Sequence, residues 1–210
     1  RVLFRSQNYS QSENIIIKDK NFLLFSSNID KYFKPILTNL KLTIGGTKSN
    51  FQNIVNNSDL RTVINSSFNY GFELRSSFKD FLNFNIGSKW EYNEVNTIFK
   101  NSYNENNSFI DLYFILNKKI NFQLETERYY NSNLDKKNNK YYFMDLELNY
   151  VPNKNKLSFS ILANNLFNTK TFKNYLVDDV SISKTEYRLL PRYILLKIDF
   201  RFWNLIKFVN

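Results

Sequence analysis

Four carboxylates stand at alternate positions of two neighbouring segments, Glu125 and Glu127 in the first and Asp145 and Glu147 in the second. In an extended chain, residues two apart share a side, so adjacent strands would bring these carboxyls close to one another. Paired carboxylates are the machinery of glycoside hydrolysis. They are also what a water-filled, charge-lined face carries, and we read them in that second way. Asp178 and Asp179 have the chemistry to hold a hard cation such as Ca²⁺, but two neighbouring acids in a polar loop read as solvated. The chain contains no histidine and no cysteine. The commonest general base, the commonest metal ligand, thiolate metal sites and disulfides are therefore absent. There is no glycine-rich phosphate loop. The sequence predicts no catalytic residue, no metal site and no cofactor.

The formal net charge is +10. A basic chain invites a nucleic-acid partner, but the lysines form no stripe. Lys136, Lys137 and Lys140 fall in one polar stretch, and Lys118 and Lys119 in a tight turn. Solvated loop charge explains this pattern, and no nucleic-acid partner is expected. Aromatic residues make up 18% of a chain whose mean hydropathy is only −0.46. No apolar run is long enough for a membrane helix, which needs about 20 residues. A strand crosses a bilayer in about 9–11 residues with only one apolar face.

Stepping along the chain by two sorts its residues. Ile120, Phe122 and Leu124 alternate with Asn121, Gln123, Glu125 and Glu127. Tyr142, Met144, Leu146, Leu148 and Tyr150 alternate with Phe143, Asp145, Glu147 and Asn149. Leu157, Phe159, Ile161 and Ala163 alternate with Ser158, Ser160, Leu162 and Asn164, and Ile194, Leu196, Ile198, Phe200 and Phe202 with Leu195, Lys197, Asp199 and Arg201. A helix would scatter these side chains around its circumference, whereas a strand divides them between two faces. Similar rows occur upstream: Leu40, Leu42, Ile44; Thr62, Ile64, Phe68, Tyr70, Phe72, Leu74; Leu82, Phe84, Ile86, Trp90, Tyr92; and Ile110, Leu112, Phe114, Leu116. Phe22–Phe33 makes one more strand, for about nine in all.

Short turns are expected near Phe33–Ile36, Ser76–Asp80, Asn117–Lys119 and Pro152–Asn155. Long polar loops are expected near Phe51–Leu60, Lys100–Asn107, Asn131–Asn139 and Asn165–Glu186. Alternating short and long connections describe an up-and-down meander with unlike ends, as in outer-membrane barrels. Strands such as Arg61–Arg75 and Phe81–Phe99 exceed the usual length of about 5–6 residues. Trp90/Tyr92, Tyr129/Tyr130 and Tyr141/Tyr142 lie where interfacial aromatic girdles would fall. The predicted fold is all-β, an antiparallel up-and-down transmembrane barrel of which this chain forms the C-terminal strands, located in the cell outer membrane. A smaller barrel acting as a passive pore or adhesin, and a soluble β-sandwich binding module, are the alternatives.

Arg1–Ser6 (RVLFRS) reads as a translated sequencing adapter, with an ordinary strand start as the alternative; barrel strands are expected within 7–202 and a short tail over 203–210. The N-terminus carries no charged-then-apolar signal segment, and the sequence is expected to continue upstream.

The stretch from Leu157 through Asn165-Leu166-Phe167-Asn168, a long loop, and then Tyr187–Phe202 with its Pro191-Arg192 pair resembles the C-terminus of TonB-dependent receptors of the Bacteroidota type. The resemblance implies a barrel of about 22 strands filled by an N-terminal plug and energised through TonB, both lying upstream of this chain. It implies import of a siderophore, vitamin, glycan or peptide, with outer-membrane lipid and the barrel-assembly machinery as further partners. The terminal aromatic strand, here Ile198, Phe200 and Phe202, would carry the assembly signal. Trp203–Asn210 departs from the family, whose chains usually stop at that aromatic. No ligand residues carry over.

Overall fold

The computed structural model describes residues 21–54, 59–76, 81–152, 157–178 and 181–200. Among these described residues eleven strands form in chain order: β1 (Asn21–Phe33), β2 (Thr38–Asn53), β3 (Arg61–Ser76), β4 (Leu82–Asn96), β5 (Lys100–Asn117), β6 (Ile120–Asn131), β7 (Lys140–Tyr150), β8 (Leu157–Asn164), β9 (Thr171–Val177), β10 (Ile182–Arg188) and β11 (Tyr193–Phe200). Nine of them make one antiparallel sheet in the order β1-β2-β3-β4-β5-β6-β7-β8-β11, and β9 and β10 make a separate hairpin. The all-β, up-and-down expectation holds, and the nine expected strands are the nine of this sheet. Among the described residues the sheet is open, with β1 and β11 as its edge strands.

Pairing is in register, so strand parity passes from neighbour to neighbour. Leu82, Phe114, Phe122, Leu148, Ile161 and Leu196 form one cross-strand row over six strands. The next row is Phe84, Leu112, Leu124, Leu146, Ala163 and Ile194. On the opposite face, Asn39, Arg75, Asn85, Asp111, Glu125 and Asp145 form a polar row. Cross-strand pairs of like character are the unit of sheet stabilisation; here they also divide the sheet into one apolar and one polar face.

The turns at one end are tight. Lys34–Ile36 is a 3-10 turn with proline in its first positions, closed by the Leu37 N–H donating to the Lys34 carbonyl (3.3 Å). At the β5–β6 turn the Asn117 side-chain oxygen accepts from the Lys119 and Ile120 N–H groups (2.8 and 3.0 Å), the local bond that makes asparagine a turn residue. The turns expected at Ser76–Asp80 and Pro152–Asn155 fall mostly outside the described residues, as does the middle of Phe51–Leu60; Asn131–Asn139 is a loop as expected.

Two loop expectations are corrected. Lys100–Asn107 is not a loop but the first half of β5, paired with β4 up to Asn96↔Lys100, which leaves only residues 97–99 to turn the chain. Its polar composition is misleading because this end of the hairpin projects beyond the apolar rows, where ladder hydrogen bonds and the buried Tyr103 and Asn106 side chains hold the strand. The stretch Asn165–Glu186 contains β9 and most of β10. It is a folded hairpin whose strands are short and whose apolar residues are few.

Gly87 stands directly opposite Phe109 on the polar face. A Cβ built there would lie 2.6 Å from the Phe109 ring and 2.8 Å from the Phe72 carbonyl oxygen. The ring occupies the space the glycine leaves, the aromatic cover that rescues glycine in sheets. Gly87→Ala is expected to destabilise the folded protein by about 1–3 kcal/mol through overpacking. A Gly87→Ala/Phe109→Leu double variant should recover part of that loss, as read from denaturant midpoints in detergent.

Candidate functional site

The β9–β10 hairpin folds back over the polar face of the sheet. Phe172 of β9 inserts among Tyr129, Tyr141 and Phe143, with ring centroids at 5.5, 5.0 and 6.2 Å in edge-to-face arrangement, and Tyr187 of β10 stacks on it at 6.3 Å. Such aromatic pairs add about 0.5–1.5 kcal/mol each beyond area burial, enough to pin a hairpin with little core of its own. Tyr175 meets Tyr103 edge-on at 6.3 Å. Val177 joins Val63, Val95 and Tyr103 in a small buried cluster flanked by Phe51 and Tyr175.

Two of the expected girdle pairs are therefore split. Tyr129 and Tyr141 face the polar side and hold the hairpin, whereas Tyr130 and Tyr142 face the apolar side. Neighbours in a strand point to opposite faces, so an adjacent aromatic pair cannot belong wholly to one belt. Trp90 and Tyr92, two apart, do share the apolar side, where Trp90 stacks on Tyr70 at 6.4 Å.

The base of the hairpin is tied by the Asn165-Leu166-Phe167-Asn168 segment. Asn165 and Asn168 adopt left-handed backbone (φ 52° and 55°), a region asparagine enters more readily than most residues. The Asn165 side chain donates to the Thr169 and Leu190 carbonyls (2.9 and 2.8 Å) and accepts from the Thr169 N–H (2.9 Å). Its backbone N–H donates to the Asp145 carboxylate (2.7 Å), and the Leu166 N–H to the Met144 carbonyl (2.8 Å). The Asn168 side-chain oxygen accepts from the Arg192 N–H (3.2 Å). One four-residue turn thus joins the end of β8, the side of β7 and the entry to β11, where Pro191 and Arg192 precede the first strand residue. Phe167 is exposed and meets Tyr142 at 6.3 Å on the outer side.

Between hairpin and sheet lies a cavity of about 740 Å³. Its wall carries Glu91, Glu105, Glu127 and Asp145 with the rings of Tyr129, Tyr141 and Phe172. Glu105 accepts from the Asn131 amide (2.7 Å) and Glu91 from the Asn93 amide (2.8 Å). Lys173 reaches into the same space but pairs with Glu186 at 3.3 Å.

Of the carboxylates singled out from sequence, Glu125 and Asp145 stand directly opposite one another, while Glu147 is opposite Gln123 and Glu127 opposite Phe143. Glu127 and Asp145 line the cavity; Glu125 and Glu147 do not. Among the described residues no cluster of three His, Cys, Asp or Glu side chains converges as a metal site. The Asp178 N–H closes the hairpin tip on the Ser181 carbonyl (2.8 Å), and Asp179 lies outside the described residues. Ile198 and Phe200 point to the apolar face of β11 and are more than half exposed; Phe202 and the segments 1–6 and 203–210 lie outside the described residues.

Sequence reasoning missed the hairpin, the aromatic cage and the cavity. The one local signal was the Tyr175-Leu176-Val177 run inside a polar stretch. Compared with protein-family models, curated proteins and solved structures, the chain finds no match in any of the three.

Asn165→Gly preserves the left-handed turn while removing three side-chain hydrogen bonds, and Asn165→Ala removes both. We expect Gly to cost about 1–3 kcal/mol at the tether and Ala about 1 kcal/mol more, read as faster proteolysis within 171–188. Beyond the apolar rows, the Tyr92 hydroxyl and then the Lys100 ammonium (3.0 Å) hold the Glu94 carboxyl below the usual carboxylate range. A lowered folded value means that this contribution is present above the ordinary carboxylate pKa and is lost as pH falls through the lowered one. Acidification should therefore speed hydrogen exchange at the β4–β5 tip, and Glu94→Gln should remove that pH dependence.

Proposed function

We propose that this chain forms the C-terminal strands of an outer-membrane β-barrel of the TonB-dependent receptor kind, which imports a ligand and is not an enzyme. The observation that carries this reading is the uncovered apolar face. Phe72, Ile110, Ile161, Leu196 and Ile198 lie on it with 42–61% of their surface exposed. Soluble monomers rarely expose contiguous apolar area beyond a few hundred Å². A face of this kind, built across a sheet whose other face is polar, suits hydrocarbon outside and water inside.

The aromatic series Phe25, Phe68, Tyr70 and Trp90 runs from β1 to β4 with successive rings 5.9–6.4 Å apart, and supports an interfacial girdle on that face. The open edges support further strands in the complete barrel, because an unpaired edge in lipid leaves backbone groups unsatisfied. In this reading the partners are outer-membrane lipid, the barrel-assembly machinery acting on the β11 strand, and a plug and TonB contributed from outside this chain. The inward-folded hairpin gives the lumen a shaped wall.

Ile161→Arg, on the apolar face, should cost about 2–4 kcal/mol and reduce assembly into the membrane. Gln123→Arg, on the polar face beside Glu147, should be tolerated. Membrane fractionation and heat-modifiable gel mobility of the two variants make the comparison. Equal tolerance of both, or a sharp monomeric unfolding transition of the chain in plain buffer, would sink the barrel reading. A complete protein with no plug domain would replace the receptor with a passive pore or adhesin.

A further inference from the structure

Arg128 of β6 stands on the apolar face of the sheet. It shares a side with Phe122 and Leu124, and its direct neighbours across the ladders are Ser108 and Tyr142. A charged side chain directed at hydrocarbon is costly and by default marks a site. Arg128 is half-buried and held in place. Its Nη1 donates to the Asn106 Oδ1 (2.9 Å), which also accepts from the Ser108 hydroxyl (3.0 Å). The Asn106 Nδ2 donates to the Ser88 Oγ (2.9 Å) and the Lys89 carbonyl (3.0 Å), and the Ser88 and Ser108 hydroxyls bond each other at 2.9 Å. Asn106 is only 2% exposed. Its amide is a fixed post, and it pins the guanidinium to the sheet.

Nothing on this face balances the charge. Among the described residues no carboxylate forms a salt bridge with Arg128. Glu94 is the only carboxylate on this face of the sheet among the described residues, and it is taken up by the Tyr92 hydroxyl and by Lys100 (3.0 Å). Lys140, opposite Tyr130, adds a second cation one row away. A guanidinium has five N–H donors. One goes to Asn106, and the Tyr130 ring lies 6.0 Å from Cζ; the others are left for an acceptor from outside.

The height of Arg128 on the sheet identifies that acceptor. On strands that rise about 3.3 Å per residue and tilt by about 40°, Ile120 to Tyr130 covers about 25 Å, the apolar band of an outer-membrane barrel. On the same scale Arg128 lies about 5 Å inside the aromatic end of the band. The row on one side of it is Tyr70, Trp90, Asn106 and Tyr130. On the other side come Ile110 and Met144, then Leu112, Leu124 and Leu146. An anion held at Arg128 has an aromatic row at its head and aliphatic rows beneath it, which suits an amphiphile and is of no use to a free ion.

We propose that Arg128, positioned by Asn106 and the Ser88–Ser108 pair and supplemented by Lys140, binds the phosphate of a membrane lipid whose acyl chains lie on the aliphatic rows of β5, β6 and β7. Guanidinium and phosphate match in charge and in the paired geometry of donors and acceptors. The cluster lies away from the tight β5–β6 turn, so the lipid belongs to the leaflet at the opposite end of the sheet. This inference rests on the barrel reading above, because only a membrane brings lipid to this face.

The test uses the complete protein purified from its source cells in dodecyl maltoside, with bound lipid counted by native mass spectrometry. Dihexanoyl phosphatidic acid is the probe; the matching diacylglycerol and inorganic phosphate are the controls. Phosphatidic acid should bind at least about tenfold tighter than diacylglycerol, and Arg128→Gln should remove most of that preference. Arg128→Lys keeps the charge without the fork and should lose part of it. Lys119→Gln, a cation removed from the tight-turn end, should change nothing. If Arg128→Gln fails to fold, Arg128→Lys and Lys140→Gln carry the comparison, each with a smaller loss expected. Absence of the preference, a preference unchanged by these variants or equally reduced by Lys119→Gln, or inorganic phosphate binding as tightly as the lipid would each overturn the site. So would loss of a co-purifying protein in Arg128→Gln with lipid binding intact, which would make the cluster a protein interface. Membrane partition is scored on the same preparation. A membrane-embedded protein without the preference defeats the site and leaves the barrel; a protein that stays soluble without detergent defeats the barrel, and the lipid site with it.

Discussion

The structure depends on register. In an antiparallel ladder, a slip of one residue turns every side chain of a strand to the other face. Here the pairing holds parity from β1 to β11, so that Leu82 in β4 and Leu196 in β11 end in the same row. One irregularity interrupts the β5–β6 pairing, between Ile115 and Asn117 beside the turn; it leaves the faces of both strands unchanged. The apolar face, the polar face and the place where a hairpin can dock all follow from this alignment. Packing between layers cannot supply the alignment, because nothing in the described chain covers the apolar face.

Burial is distributed the opposite way from a soluble sandwich. The long aliphatic rows are half-buried to exposed apart from Ala163, and the small buried cluster of Val63, Val95, Tyr103 and Val177 sits on the face that is otherwise polar. Those residues are buried because the β9–β10 hairpin covers them. The hairpin in turn is held by Phe172, caged by three aromatic side chains from β6 and β7, and by Tyr175 and Val177 against Tyr103 and its neighbours. The polar face thus has two roles, a solvated wall over most of its area and a docking floor where its few aromatics cluster.

The Asn165–Asn168 turn links these layers. Two left-handed asparagines reverse the chain at the end of β8, and the Asn165 amide reaches both the start of the excursion at Thr169 and its end at Leu190. The ends of a long excursion must meet for β11 to pair with β8, and closing such a loop costs conformational entropy. The amide bridge offsets part of that cost locally and leaves residues 171–188 free to fold onto the wall. The motif on which the resemblance rested has, in this chain, a mechanical role that its letters did not reveal.

The sequence by itself determined the fold class, the faces and most strand positions. Period-two alternation is a local property, and residues such as Leu146/Leu148 against Asp145/Glu147 declare their sides without reference to any partner. Composition alone was a poor guide at Lys100–Asn107, where ladder hydrogen bonds extend a strand through polar residues, and at Thr171–Arg188, where short strands are stabilised only by what they touch. Which of Tyr129 and Tyr130 faces the polar side follows from alternation; that Tyr129 cages Phe172, 43 residues away along the chain, does not. The cavity and its carboxylates were decided by tertiary structure alone. They exist only because side chains from β4 to β7 and from the returning hairpin meet across space, and no periodicity within one segment encodes a meeting between two.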